Sequence, residues 1–323
     1  MSLIGAVVIG RNEGARLVAC LASLADQQIR VVYVDSGSTD GSVKAAEEAG
    51  AEVVILDTDT PFTAARARNA GYRALASTGT RPDYVQFVDG DCRIVPGWMA
   101  KARAALDAQP DLGIVTGWRA EIHPEASVYN RLCDFEWHRP AGDIEGCGGD
   151  MMVRAEAFEA AGGFNPRIIA AEDEEFCTRM RKAGWRVHRL PEDMTLHDAN
   201  MLRFGQWWQR AVRTGHGFSQ VGALHPEYFT KERRRVWIYA ALLPVLAVGA
   251  LFTEPLLLLA VLAVYLLSYL RTVQGLRRAG LDLRDAAEQA VLLTLSKFPN
   301  LLGMLTYIWR MATRKDMRII EYK

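Results

Sequence analysis

Tyr84-Val85-Gln86-Phe87-Val88-Asp89-Gly90-Asp91 is the stretch on which the fold turns. Tyr84–Val88 reads as a buried strand, and Asp-Gly-Asp closes it with a tight turn. Two carboxylates flanking a glycine can face one divalent cation. A hard cation such as Mg2+ or Mn2+ takes oxygen ligands and also binds phosphate oxygens. Asp-Gly-Asp serves equally as a solvent turn, so its place at the carboxyl end of a strand is what singles it out.

Working back from this turn, short apolar runs alternate with helical patterns. Ile4–Ile9 reads as a strand, and residues 14–26 as a helix with Leu17, Leu21 and Leu24 on one face. Val31–Asp35 and Val53–Leu56 follow as strands, with helices at Ser42–Ala49 and Ala64–Ala76. Such alternation with short loops predicts an α/β fold, a mostly parallel sheet with helices on both faces. Ligands of such sheets sit outside the carboxyl ends of the strands. The residues to watch are therefore those just after each strand: Arg11 and Glu13 in Ile9–Gly14, Asp35 in Val34–Ser42, and the Asp89/Asp91 turn. Asp35 can accept hydrogen bonds from a nucleobase or ribose, whereas Thr39, Asp40 and Ser42 are explained as helix-capping residues.

The chain has 323 residues, half of them hydrophobic and 24% charged, which excludes wholesale disorder. Lys+Arg and Asp+Glu tie at 38 each. Residues 231–323 hold 14 basic and 7 acidic residues, leaving 24 and 31 for residues 1–230. A front portion of net charge −7 argues against a nucleic-acid binder, which needs a basic face. Cys20, Cys92, Cys133, Cys147 and Cys177 form no CxxC pair, so neither a zinc knuckle nor a disulfide framework is expected. The opening MSLIGAVVIG lacks a basic flank and reads as a core strand, which places the front portion in the cytoplasm.

Composition changes near residue 231. Lys-Glu-Arg-Arg-Arg (231–235) leads into Val236–Leu270, whose one charge is Glu254, next to Pro255. The expectation is a membrane hairpin with legs 236–253 and 255–270 and its tip at Glu254-Pro255. Arg271, Arg277 and Arg278 close the far flank, so both outer flanks lie on the cytoplasmic side. The stretch 290–309 carries Lys297 and Pro299, which disfavour a full span. It reads as a broken helix in the membrane interface or packed on the hairpin. Residues 1–230 and 231–323 are thus expected as a catalytic domain and a membrane-associated part.

The order of motifs resembles the family 2 glycosyltransferases with the GT-A fold. The resemblance rests on the Asn12-Glu13 turn, Val34–Ser42, Ala67-Arg68-Asn69-Ala70-Gly71, Val88–Asp91, Gly146–Asp150, Ala161–Phe164, Ala171–Phe176 and Gly184-Trp185. It covers about residues 3–215. It implies a Rossmann-like nucleotide-sugar-binding domain in which Asp35 holds the base, with Arg11 and Glu13 nearby. Arg68 would meet the diphosphate, and Asp89 the ribose or the metal. Asp91 would ligate Mg2+ or Mn2+ directly, and His197 is a candidate for the cation or the diphosphate. Asp173 matches the family's catalytic base, with Asp150 and Glu172 as acceptor or sugar contacts. Phe204–Arg213 is loosely similar to the QxxRW element of processive members and makes Trp207 and Arg210 candidates for the sugar. No tryptophan follows the arginine, which leaves processivity open.

The resemblance implies an inverting glycosyltransferase of a bacterial inner membrane. It would use a nucleotide-sugar donor, UDP by default with GDP and dTDP open. The acceptor would be lipid-linked or a growing polysaccharide. A non-catalytic nucleotide-sugar-binding scaffold at the membrane is the second reading. A sugar nucleotidyltransferase is the third, disfavoured because its GxGxR opening is missing.

Overall fold

A computed structural model describes residues 2–57, 59–77 and 79–321. The described residues form one sheet whose strands are β1 (Ile4–Gly10), β2 (Arg30–Asp35), β3 (Glu52–Ile55), β4 (Tyr84–Asp89), β5 (Cys92–Ile94), β6 (Leu112–Glu121), β7 (Gly142–Asp143), β8 (Met151–Arg154) and β9 (Arg186–His197). Their order is β3-β2-β1-β4-β8-β6-β9-β5, with β7 paired to β9. The long pairings β1–β2, β1–β4 and β6–β9 are parallel, while β8 runs antiparallel to both β4 and β6. The sheet is therefore α/β and mostly parallel, as the alternation predicts.

The register explains where chemistry collects. Gly10 pairs with Asp35, and Ile9 with Asp89, so the carboxyl ends of β1, β2 and β4 lie side by side. The β1 alternation explains the two covered faces. Val7 and Ile9 face one core, with α3 (Ala64–Ser77), α6 (Ala155–Ala160) and α7 (Glu172–Lys182). Ala6 and Val8 face the other, with α1 (Ala15–Ala25), α2 (Ser42–Glu48) and α4 (Trp98–Ala108). A further helix, α5, spans Val128–Trp137.

By packing, the chain divides into two compact units. One comprises residues 1–124, 133–200 and 317–319, and the other residues 125–132, 201–316 and 320–323. The second unit is helical: α8 (Phe204–Leu224), α9 (Thr230–Trp237), α10 (Leu243–Ala250), α11 (Pro255–Arg278), α12 (Leu283–Leu295) and α13 (Lys297–Ala312). A π turn at Ile238–Leu242 joins α9 to α10, just before Pro244. Proline cannot donate a backbone hydrogen bond, and the wider turn accommodates it. The packing division falls before α8, some thirty residues ahead of the compositional change, because α8 lies along α13 with their backbones nearly touching. A Cβ on Gly303 would sit 1.9 Å from the Val212 carbonyl oxygen, and one on Gly215 2.0 Å from that of Asn300.

Among the described residues, two helical stretches, Leu256–Arg278 and Leu283–Ala312, are long and apolar enough to cross a membrane. The first is hardly buried, with Leu256, Leu259, Leu262 and Leu266 exposed. The second is interrupted at Ser296, where α12 ends and α13 begins, next to Lys297 and Pro299. The residues 236–253 are helical up to Ala250, and the chain turns at Leu251–Glu254 before α11.

Candidate active site

The site grows from the turn after β4. Asp89 is held at three points. Its backbone N–H donates to Asp150 Oδ1 (2.9 Å), its Oδ1 accepts from Arg68 Nη2 (2.7 Å), and its Oδ2 lies 3.4 Å from Arg119 Nη2. Burial works to raise the Asp89 carboxyl, but Arg68 and Arg119 outweigh it and hold it well below the usual carboxylate range. Asp150, only 1% exposed, takes a second contact from Arg119 at 2.7 Å and accepts from the Thr195 hydroxyl at 2.9 Å. Asp150 thus supports Asp89 from beneath.

Asp91 turns toward the end of β9. Its Oδ2 lies 3.3 Å from His197 Nε2, and the sequence's two separate candidates for a cation meet here. Burial depresses the His197 imidazole, against the pull of Glu121, which favours the neutral ring, and one nitrogen of a neutral imidazole can act as a ligand. Glu121 Oε2 stands 3.9 Å from His197 Nδ1, and Trp137 packs edge-on against the imidazole with centroids 4.7 Å apart. Asp91, Cys92 and His197 each offer a ligand atom within 4.8 Å of the others. Asp91 offers a carboxylate oxygen and His197 an imidazole nitrogen, while burial raises the Cys92 thiol well above its ordinary value. That donor set, with neighbouring carboxylates, suits Mn2+ or Mg2+ better than a thiolate-seeking metal.

From Asp89 a second line leads to α7. Arg68 is 2% exposed and reaches Asp89 with one arm and Glu172 Oε1 with the other, at 2.8 Å. This guanidinium, expected on a diphosphate, pairs with two protein carboxylates and lies beneath the Gly149 backbone. Glu172, expected near the sugar, is likewise buried against Arg68. The next residue, Asp173, stands in the first turn of α7. Its Oδ1 accepts the N–H of Glu174 at 2.8 Å, as carboxylates do at helix starts. Its pKa is pushed up to about 8, by burial first and then by Glu172 and Glu174, against the pull of Arg68. The residue before α7, Ala171, is left-handed at φ 59°, a conformation that costs a non-glycine residue about 1–2 kcal/mol. Glu175 and Arg179 then pair at 2.8 Å and anchor the helix to the Gly163 carbonyl.

The carboxyl end of β2 supplies Asp35, which is buried. Its Oδ2 accepts from the N–H groups of Gly37 (2.9 Å) and Ser38 (2.8 Å), and its Oδ1 from the Tyr33 hydroxyl (3.0 Å). Asp35 therefore shapes its own loop. Asn12 ties the β1 loop to it, donating to Ser38 Oγ and accepting from the Thr39 N–H. Arg11 is exposed and lies over the Phe62 ring at 4.6 Å, while Glu13 pairs with Arg16 at 2.8 Å. Trp207 and Arg210 belong to α8 in the other compact unit. There Trp207 is buried, against Phe204, Trp208 and Tyr129.

Arg119, Glu121 and Trp137 escaped the sequence reading. Arg119 and Glu121 sit on β6 within Thr116-Gly117-Trp118-Arg119-Ala120-Glu121, which has no recognisable motif. The available signal was physical: charges on a strand destined for the sheet interior need partners of opposite sign.

Comparison with known proteins accords with this geometry. The profile described as "Glycosyl transferase family 2" matches residues 6–157, and that of "Glycosyl transferase family group 2" matches residues 84–309. The pre-mycofactocin glycosyltransferase of Mycobacterium tuberculosis is 24% identical over 235 residues, 68% of this chain and 48% of that protein. The succinoglycan biosynthesis protein ExoA of Rhizobium meliloti is 28% identical over 214 residues, 61% of this chain and 64% of that one. The chain thus spans about half to two thirds of the length of these relatives. Among solved structures, the mannosyltransferase PcManGT from Pyrobaculum calidifontis, in complex with GDP-Man and Mn2+, superposes with a TM-score of 0.61. It is 18% identical and aligned over 95% of this chain and 87% of its own, which shows a shared GT-A fold. With family matches running from β1 to α13, one of them over more than half of the chain, the chain belongs to glycosyl transferase family group 2.

Proposed function

We propose that the protein is an inverting, metal-dependent glycosyltransferase that moves a sugar from a nucleoside diphosphate donor to a membrane-associated acceptor. The observation that carries this reading is that one turn carries both Asp91, paired with His197, and Asp89, joined through Arg68 to Glu172, the neighbour of Asp173. Asp35 and the loop around Arg11 and Glu13 would receive the nucleotide beyond the ends of β1 and β2. Asp91 and His197, with Asp89 beside them, would hold Mn2+ or Mg2+. Such an ion supplies charge neutralisation for a departing diphosphate.

Asp173 is the proposed base. Its carboxylate would take the proton of the acceptor hydroxyl as that oxygen bonds to the anomeric carbon. The bond from that carbon to the diphosphate breaks on the opposite face, so a single displacement inverts the configuration. Asp150 and Arg119 hold the donor turn in place, and Glu172 orients the start of α7.

Asp91→Ala should lower nucleoside diphosphate release by about 1000-fold with Mn2+ or Mg2+, as expected when electrostatic stabilisation of a leaving group is lost. The measurement is diphosphate release across UDP-, GDP- and dTDP-sugars, with and without lipid extract. Equal activity toward lipid-linked and free water-soluble acceptors would defeat the membrane-acceptor part. Pyrophosphate release would point to a nucleotidyltransferase, and nucleotide-sugar binding without turnover to a scaffold.

Anchoring is proposed for residues 231–323, with residues 1–230 as a catalytic domain on the cytoplasmic side of the inner membrane. At 1.5 Å per residue, the uncharged part of α11 before Arg271 is about 23 Å long, on the short side of a ~30 Å hydrocarbon core, and the arginines of Leu256–Arg278 extend the helix into the headgroups. Lys231, Arg234 and Arg235 before the hairpin and Arg271, Arg277 and Arg278 after it favour one side for both flanks. The protein should stay in the membrane pellet after alkaline carbonate washing. Quantitative release into the supernatant would argue for peripheral attachment.

A further inference from the structure

Arg68 lies between the two halves of the proposed chemistry. One arm meets Asp89 at 2.7 Å, at the end of β4, and the other meets Glu172 at 2.8 Å, at the start of α7. Its surroundings are closed. A Cβ on Gly149 would come within 1.9 Å of Arg68 Nη2, so the loop before β8 lies directly on the guanidinium. The Phe164 ring covers it from another side, 5.4 Å from the guanidinium carbon. A planar fork with two occupied arms differs from an ammonium, which is a point charge and cannot hold two separated carboxylates in one geometry.

We propose that Arg68 is a positioning residue: a buried strut that holds Asp89 and Glu172, and with Glu172 the base Asp173, at a fixed separation, without itself touching the donor diphosphate. This rests on the glycosyltransferase reading above. Transfer needs the anomeric carbon, placed by the donor turn, and the acceptor oxygen, placed by the base, at near-attack distance. A strut of fixed length between the two elements supplies that spacing, and a shift of about 1 Å can cost about 100-fold in rate.

The strut and a diphosphate ligand differ in what they do to kcat and to binding. In the full-length protein, Arg68→Met should lower kcat by about 100-fold. The affinity for UDP or GDP with Mn2+, read by calorimetric titration, should change by less than about threefold, because no phosphate contact is lost. Arg68→Lys should recover only part of kcat, since an ammonium satisfies one carboxylate. Adding Glu172→Gln to Arg68→Met should cost little more, since residues acting as a unit are non-additive. If Arg68→Met does not fold, the double variant, which removes the Glu172 charge and leaves Asp89 its contact with Arg119, carries the same kcat and affinity comparison. A tenfold or greater loss of nucleotide affinity with kcat retained would overturn the proposal and place Arg68 on the donor.

A wild-type protein that turns over no donor would instead defeat the glycosyltransferase reading. The strut would then be judged on melting temperatures of Arg68→Met, Glu172→Gln and the double variant. Coupling between the two sites supports it, and additive shifts overturn it.

Discussion

Asp173→Asn will lower kcat by about 100- to 10,000-fold while leaving donor affinity nearly intact, the range expected when a general base is removed. The asparagine is nearly isosteric and keeps an oxygen that can accept the Glu174 N–H, so α7 should keep its first turn. What it lacks is a site for the acceptor's proton. The wild-type pH profile carries the same message. A base works only when deprotonated, so turnover should be low in acid and climb as pH passes the Asp173 pKa. In the free protein that value is about 8, raised by burial and by Glu172 and Glu174. A bound cation and the negatively charged diphosphate of the donor nearly offset each other, so the rising limb should appear in both kcat and kcat/KM. The check is a kcat and kcat/KM profile from pH 5.5 to 9.5 for wild type and Asp173→Asn (~4 pH units, wide enough to contain the limb). A full rate in Asp173→Asn, or a flat profile in both, would remove Asp173 from the chemistry.

Gly303→Leu and Gly215→Leu form the second large effect, on stability. At each position a Cβ would fall within about 2 Å of a carbonyl oxygen on the facing helix, and backbone cannot rotate away as a side chain can. Overpacking of this kind costs about 3 kcal/mol or more, which for a unit of this size corresponds to a fall of ~10 °C in Tm. Complete loss of folded protein is the limit of the same effect. Gly275→Ala is the control: nothing lies within 4 Å of the added Cβ, and it should leave Tm almost unchanged. Thermal denaturation of the three variants in one detergent tests the contrast. Equal, small shifts in all three would mean that α8 and α13 do not approach as described.

Much of this was readable before any coordinates, and the reasons are local. The strands β1, β2 and β4 are apolar runs bounded by Gly, Asp and Asn, and hydrophobic period and turn chemistry agree on them. Asp89, Asp91 and Asp35 could be singled out because they follow those runs directly. His197 lay more than a hundred residues from Asp91, and only the resemblance suggested it; the antiparallel pairing of Cys92 with His197 explains why the two meet. Arg68 shows the limit. Its motif announced an important arginine, but whether a guanidinium meets a ligand or two protein carboxylates depends on burial, which no spacing reveals. Arg119 was invisible because its partners lie far along the chain, Asp89 at the end of β4 and Asp150 just before β8.

The seam between α8 and α13 also bears on how the gene can be shortened. A truncation after residue 230, where composition changes, would remove α13 and leave the glycine-lined groove of α8 facing water. That is a recipe for a sticky, poorly folded fragment, because Val212, Gly215 and His216 are buried in the intact unit. Whoever wants a more soluble version of this protein is better served by keeping both helices and replacing exposed leucines on α11 than by cutting at the compositional border.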